Sequence, residues 1–183
     1  MVVEETYLKN CFVIEPSVFK DNRGYFFESF NVKKFQEQTG LIVNFVQDNE
    51  SKSSRGVLRG LHFQTGNYEQ AKLVRVINGS VLDVCLDLRK DSPTYGKHFS
   101  ITLSKENKKQ LFIPRGFAHG FVVLENDTIF SYKCDNYYNK ASESGIIYND
   151  KDLDIDWHLP AAELILSEKD KVLGTFQNFH DAY

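Results

Sequence analysis

The stretch from Lys72 to Leu88 constrains the fold more than any other part of the chain. It reads Lys-Leu-Val-Arg-Val-Ile, then Asn78-Gly79, then Ser-Val-Leu-Asp-Val-Cys-Leu-Asp-Leu. Aliphatic and β-branched residues at this density favour extended chain. Asn-Gly between two such runs is the strongest short hairpin signal, because a type I′ turn needs positive φ at both central residues. The sequence therefore predicts two antiparallel strands joined by a tight turn. In the second arm Val81, Asp83, Cys85 and Asp87 share one face, and Leu82, Val84, Leu86 and Leu88 share the other. The aliphatic face belongs to a core. The face with two aspartates is expected to meet solvent or to line a polar cavity.

Similar patterns predict strands at 11–14, 24–30, 42–48, 98–103, 110–113, 120–124 and 128–134, with Glu125-Asn126-Asp127 as a second hairpin loop. One helix is expected early: Asn31 can cap its N-terminus, Val32 and Phe35 form a short apolar stripe, and Gly40 can end it. A second short helix is expected at 161–165. Many short strands with turns between them predict an all-β sandwich or barrel with a few short helices. A jelly-roll barrel can hold a ligand in its mouth, so inward-facing polar residues become the candidates for function. The 183 residues contain no repeat, no low-complexity tract and no linker, and a single domain over 1–183 is expected.

Composition narrows function mainly by exclusion. A net charge of −3 without a basic stripe gives no global attraction to nucleic acid or anionic membrane. No apolar run approaches the roughly 18 residues of a membrane span. Met1 to Glu5 has neither a basic nor an apolar signal segment, which suits a cytoplasmic protein. Cys11, Cys85 and Cys134 are odd in number, and no pair has zinc or redox spacing. They are expected to be reduced and mostly buried.

The segment Gly56-Val57-Leu58-Arg59-Gly60-Leu61-His62-Phe63-Gln64 carries the chemistry. On a regular strand Arg59 and His62 would face opposite ways. Gly60 lies between them, and a bulge there would bring both to one face. A cation beside a proton-transfer group suits a reaction that passes through an oxyanion. Lys72, Arg75 and the Gln47-Asp48-Asn49 cluster add polar neighbours. Downstream, Tyr132-Lys133-Cys134-Asp135-Asn136-Tyr137-Tyr138 offers phenols, and a phenol aimed into a cavity can serve as a general acid. Arg23, beside Gly24, is a candidate for anion binding together with Arg59 and Lys169.

Pro114-Arg115-Gly116-Phe117-Ala118-His119 resembles the second motif of cupins, whose histidine is a metal ligand. The His-x-His pair of the first cupin motif is broken here, because His62-Phe63-Gln64 lacks the second histidine. A metal-free barrel is therefore expected, with no metal ligands and no cofactor.

Nine motifs occur in order. They begin with Asp21-x-Arg-Gly-x-Phe-x-Glu28-x-Phe30, Gln47-Asp48-Asn49, Gly56 to Gln64, and Lys72-Leu-Val-Arg-Val. Asp87-Leu-Arg-x-x-Ser-Pro-Thr-Tyr-Gly96, Ile113 to Gly120, Tyr132-Lys133, Asn136-Tyr-Tyr138 and Leu166-Ser-x-Lys-Asp170 follow. Together they resemble the dTDP-4-dehydrorhamnose 3,5-epimerase family from about residue 10 to about residue 170. The resemblance implies a metal-free jelly-roll cupin barrel and a homodimer in which N-terminal residues complete the partner's site. It implies His62 as base, oriented by Asp170, Tyr132 as the opposing acid, and Lys72 with Arg59 at the enolate oxygen. Contacts to the dTDP-4-keto-6-deoxyhexose are implied for Arg23, Glu28, Gln47, Asp48, Asn49, Arg59, Lys72, His119, Tyr138, Glu143 and Lys169. Arg23 and Glu28 would then lie across the subunit boundary. Two departures stand out: the 65–68 loop, and His158 after Trp157 where a proline is usual. A single-site epimerase on a related 4-keto sugar nucleotide fits the same residues. A metal-dependent cupin oxygenase and a non-catalytic sugar-nucleotide-binding cupin are the alternatives from other classes.

Overall fold

The computed structural model describes residues 1–182, and nearly all regular structure in them is β. The strands are β1 (Val2–Glu5), β2 (Phe12–Glu15), β3 (Phe19–Asp21), β4 (Gly24–Phe26), β5 (Gln47–Ser53), β6 (Leu58–Gln64) and β7 (Lys72–Asn78). They continue with β8 (Ser80–Asp87), β9 (His98–Ser104), β10 (Gln110–Ile113), β11 (Phe117–Val123), β12 (Thr128–Cys134) and β13 (Glu143–Gly145). Helix α1 (Val32–Thr39) follows β4, and α2 (Phe176–Ala182) comes last. One sheet runs β1-β2-β10-β7-β12-β5 and the other β13-β6-β11-β8-β9, while β3 and β4 form a separate ribbon. Every pairing between these strands is antiparallel.

The two large sheets face each other across a core of Val74, Val76, Leu111 and Phe130 from one and Val81, Cys85, Leu103 and Phe121 from the other. This is the cupin-type jelly-roll barrel. A second core covers the outside of the five-stranded sheet, where Leu82, Val84 and Leu86 pack with Leu153, Trp157 and Phe176. A third lies outside the six-stranded sheet, where Leu73 and Phe112 pack under Phe35 of α1.

The expected hairpin at Asn78-Gly79 does not form. β7 belongs to the six-stranded sheet and β8 to the other. The turn is a corner at which the chain changes sheets. Gly79 has φ +77°, and a Cβ on it would fall 2.2 Å from Thr128 Oγ1. The loop at Glu125 to Asp127 is a second corner, since β11 and β12 also lie in different sheets. The two corners are bonded together. Ser80 Oγ donates to Glu125 Oε1 at 2.6 Å, Asn78 Nδ2 donates to the Asp127 carbonyl at 2.9 Å, and Leu124 N donates to the Ser80 carbonyl at 2.9 Å. The physical reason is the pattern of β8. All eight of its residues are buried, so it needs cover on both faces and strand neighbours on both edges. β11 and β9 supply the edges, and folding back on β7 would have left one of them unpaired.

Other expectations vary in outcome. Asn31 caps α1 by accepting from Lys34 N, and Gly40 ends it at φ 73°. The strand expected over 24–30 stops at Phe26, and that over 42–48 begins only at Gln47 and runs to Ser53. The helix expected at 161–165 is a single 3₁₀ turn, Ala161–Glu163. All three cysteines are free and buried, with Cys11 Sγ 3.6 Å from Cys85 Sγ.

Candidate active site

A cavity of about 470 Å³ opens between the sheets, and its walls include Arg59, His62, Lys72, His119, Tyr132, Lys169 and Asp170. Alternation brings most of them there. Lys72 shares the inward face of β7 with Val74 and Val76, Tyr132 that of β12 with Phe130, and His119 that of β11 with Phe121.

Arg59 and His62 reach the same cavity through the bulge expected at Gly60. In the β6–β11 register His119 opposes His62 and Phe121 opposes Arg59, so Gly120 alone stands against Gly60 and Leu61. Gly60 has φ +113°, and a Cβ there would sit 2.6 Å from the His119 carbonyl oxygen. Only glycine allows this close approach. Leu58, Leu61 and Phe63 consequently point outward into the second core.

His62 Nε2 lies 2.6 Å from Asp170 Oδ1. With Nε2–H donated to the carboxylate, the imidazole lone pair is on Nδ1. Asp170 sits on a 3₁₀ turn, is 3% exposed, and donates its own backbone N–H to Ser167 Oγ at 3.1 Å. Burial lowers the proton affinity of His62, Asp170 opposes that effect, and Lys169 and Lys72 reinforce it. Burial likewise lowers the pKa of Lys72, against the pull of Cys134, Asp83 and Glu143. It raises that of Tyr132, with Cys134 adding to the effect and Arg59 opposing it. Near neutral pH the phenol keeps its proton, and the imidazole is biased toward its free base.

Near the mouth, Glu143 accepts from Lys169 Nζ at 2.5 Å and from Tyr138 O–H at 3.0 Å. Burial alone would raise the Glu143 pKa, but these two donors hold it below the ordinary value. Gln47 accepts from Tyr138 N at 3.1 Å and donates to Asn49 Oδ1 at 3.1 Å. Asn49 stands opposite Tyr132 in register, so the two share a face.

Some expected site residues are not brought together with these. Asp48 is on the other face of β5 and pairs with Lys133 at 2.9 Å. Arg23 pairs with Asp21 on the β3–β4 ribbon, and Glu28 pairs with Lys34 beside α1. Arg75 turns outward and lies over the Phe27 ring, 5.8 Å from its centroid. Gln64, where cupins carry their second histidine, is fully engaged: it donates to the carbonyls of Tyr68 and Tyr137 and accepts from Asn139 N. Among the described residues no group of three or more His, Cys, Asp and Glu is placed to hold a metal ion. His158 takes φ 58°, which proline cannot adopt, yet Asp170 still reaches His62. Sequence reasoning did not single out Ser167, or Asp83 behind His119. The alternation of β8 left open a polar cavity for Asp83. Ser167 stood in the Leu166-Ser-x-Lys-Asp170 motif, but without a role assigned to it.

The sequence profile of the dTDP-4-dehydrorhamnose 3,5-epimerases matches residues 5–178. The chain belongs to this family. It is 52% identical over 170 residues to the dTDP-4-dehydrorhamnose 3,5-epimerase of Shigella flexneri, covering 93% of each chain. Its fold is similar to the crystal structure of the enzyme of that name from Elizabethkingia anophelis, with a TM-score of 0.94, 58% identity and 97% of each chain covered. A structure of the dTDP-6-deoxy-D-glucose-3,5-epimerase of Legionella pneumophila in complex with dTDP-4-keto-L-rhamnose has a TM-score of 0.92 at 45% identity, covering 96% of this chain and 93% of that one.

Proposed function

We propose that this chain inverts C3 and C5 of dTDP-4-dehydro-6-deoxy-D-glucose to give dTDP-4-dehydro-L-rhamnose. The observation that carries this reading is the cavity itself. An imidazole backed by a buried carboxylate enters from one sheet, while a phenol and an ammonium enter from the other.

The chemistry follows from the 4-ketone. Either carbanion, at C3 or C5, delocalises onto O4. His62 Nδ1 takes the proton, and Asp170 steadies the imidazolium that forms. Lys72 and Arg59 hold the enolate oxygen as its charge develops. Tyr132 returns a proton to the opposite face of the carbon, and solvent restores both groups. The step is redox-neutral, with one C–H bond broken and one formed at each centre. Positioned acid and base groups contribute roughly 10²–10⁴-fold, and the cations at the oxyanion supply a further large share.

His119, Tyr138, Glu143, Lys169, Gln47 and Asn49 are assigned to the sugar nucleotide. Arg23 and Glu28, which do not line this cavity within one chain, are assigned to the partner's site in a homodimer. The exposed Phe19, Tyr25 and Phe26 on the same ribbon support that assignment. A cytoplasmic enzyme of one domain completes the reading.

The test is proton NMR of dTDP-4-dehydro-6-deoxyglucose with the protein in D₂O. Deuterium at both C3 and C5, with the L-lyxo product trapped by a reductase, is the expected result. Deuterium at one carbon would mean a single-site epimerase. No exchange would overturn the reading in favour of a binding module or another chemistry.

A further inference from the structure

We propose that Asp83 is a positioning residue for His119: it accepts a hydrogen bond from Nε2–H and so presents Nδ1 of that ring to the reaction cavity as an acceptor for a hydroxyl of the sugar. This inference rests on the epimerase reading above.

Asp83 and His119 are diagonal neighbours on paired strands. In the β8–β11 register His119 opposes Cys85 and Phe121 opposes Asp83, and alternation puts all four on the inward face. Asp83 is 0% exposed, with Val81 and Cys85 beside it on β8. A carboxylate is costly in such surroundings, and an apolar side chain of similar size would pack there more favourably. Among the described residues its side-chain hydrogen bonds come from His119 alone, whose Nε2 lies 2.9 Å from Oδ2 and 3.1 Å from Oδ1. The carboxylate accepts, so the proton between them is on Nε2 and the lone pair is on Nδ1. Phe130 holds the imidazole face, with ring centroids 6.1 Å apart and planes 20° from parallel. The ring is thus fixed at one edge by charge and at one face by packing.

The other edge of the ring opens on the cavity. Among the described residues every buried side-chain nitrogen and oxygen has a hydrogen-bond partner. His119 is 7% exposed, and its two side-chain hydrogen bonds are both made by Nε2. Nδ1, without a partner, is therefore at the surface of the space that the ring lines. That space is the cavity shared with His62, Lys72 and Tyr132. His119 also stands directly opposite His62 in the β6–β11 register. The two imidazoles are built alike, each giving its Nε2 edge to a buried aspartate. Their tasks differ. His62 takes protons from carbon. The wall around it is rich in donors, with Arg59, Lys72, Lys169 and the Tyr132 phenol. A sugar hydroxyl brought among them loses its water and needs an acceptor for its own proton. His119 Nδ1 supplies one, and Asp83 keeps it from being the protonated nitrogen.

The test joins ¹⁵N NMR of the histidine-labelled protein, at about pH 8, with the turnover assay. Wild-type His119 is recognised by the signals absent from the Asp83→Leu/His119→Phe double variant. It is expected to carry a proton on Nε2 and none on Nδ1, and a proton on Nδ1 overturns the inference. In Asp83→Leu the Nε2–H loses its acceptor, so the Nδ1–H form is expected to appear. KM is expected to rise about tenfold there with kcat within about threefold, because a hydrogen bond to a hydroxyl is made in ground and transition states alike. The double variant is expected to match the KM of Asp83→Leu, since Asp83 acts only through His119. An unmoved KM in folded Asp83→Leu, or a further tenfold rise in the double variant, overturns the inference. So does a fall in kcat of about tenfold or more at unchanged KM, which would make His119 a second base. Should Asp83→Leu not fold, Asp83→Asn is expected to raise KM by about threefold, its amide oxygen still accepting in part. An unmoved KM there is equally fatal. A wild-type protein that neither exchanges nor turns over the substrate would sink the epimerase reading itself, an outcome distinct from an active wild type with an indifferent Asp83.

Discussion

His62 and Tyr132 enter one cavity from opposite sheets, His62 on β6 and Tyr132 on β12. A base and an acid on opposing walls are what inversion at carbon demands, because the proton must leave one face and return to the other. His62→Ala is expected to reduce turnover by roughly 10²–10⁴-fold while leaving dTDP binding within a few-fold. Isothermal titration beside the NMR assay checks both, and near-normal turnover would remove His62 from the role of base.

Tyr132→Phe separates the two halves of the reaction. Deprotonation by His62 survives, so deuterium still enters from solvent, while inversion falls by about 10²-fold. Equal loss of exchange and inversion would count against the phenol as the acid.

Asp170→Asn has a signed effect on pH dependence. Burial lowers the His62 pKa and the Asp170 charge opposes it, so neutralising Asp170 lets that pKa fall further. The acid limb of the kcat/KM profile is expected to move to lower pH while the plateau drops, because the base is weaker and less well oriented. A limb that moves upward would contradict the assigned dyad.

Gly60→Ala attacks the bulge. At φ +113° and with a Cβ 2.6 Å from the His119 carbonyl, alanine fits only if the strand shifts. A loss of about 2–4 kcal/mol in urea denaturation is expected, together with a fall in activity as Arg59 leaves the cavity. A variant of wild-type stability would mean that the register slips at little cost.

Asp87 tests stability away from the chemistry. Fully buried, it accepts from Arg89 Nε and Nη2, Ser92 Oγ and Thr94 Oγ1, and so ties down the loop between β8 and β9. Burial would raise its pKa, but these donors outweigh it and hold the group below the ordinary aspartate value. Its contribution is therefore complete above about pH 4, the unfolded value, and is lost as pH falls through the lower folded value. Asp87→Asn is expected to cost about 2–3 kcal/mol at pH 7. The gap to wild type narrows on acidification, and a gap that widened would reverse the sign.

Local signals read well from this sequence because local physics decides them. Asn31 and Gly40 bound α1 as their side-chain chemistry dictates, and Gly60 bulges where a glycine interrupts an aliphatic strand. Asn78-Gly79 misled because a hairpin and a corner share the same turn residues. What separates them is competition for edges, which β11 and β9 win across distant sequence. The His62–Asp170 pair spans 108 positions, so only the family's motif order pointed to it. Asp48 was drawn in with its neighbours Gln47 and Asn49, although strand alternation turns it the other way. Asp83 stayed ambiguous because alternation fixes a face and not what covers it.

The paired corners at Gly79 and Glu125 to Asp127 give the barrel a mechanical character. Tyr132 lies four residues from Thr128 and Lys72 six from Asn78, which makes lever arms of roughly 13–20 Å along the strands. A splay of roughly 3° at that rivet would open the jaws by nearly ~1 Å, a displacement that can cost about 10²-fold in rate. Ser80 and Glu125, outside the lining of the cavity, thus govern the distance between the imidazole on one jaw and the phenol on the other.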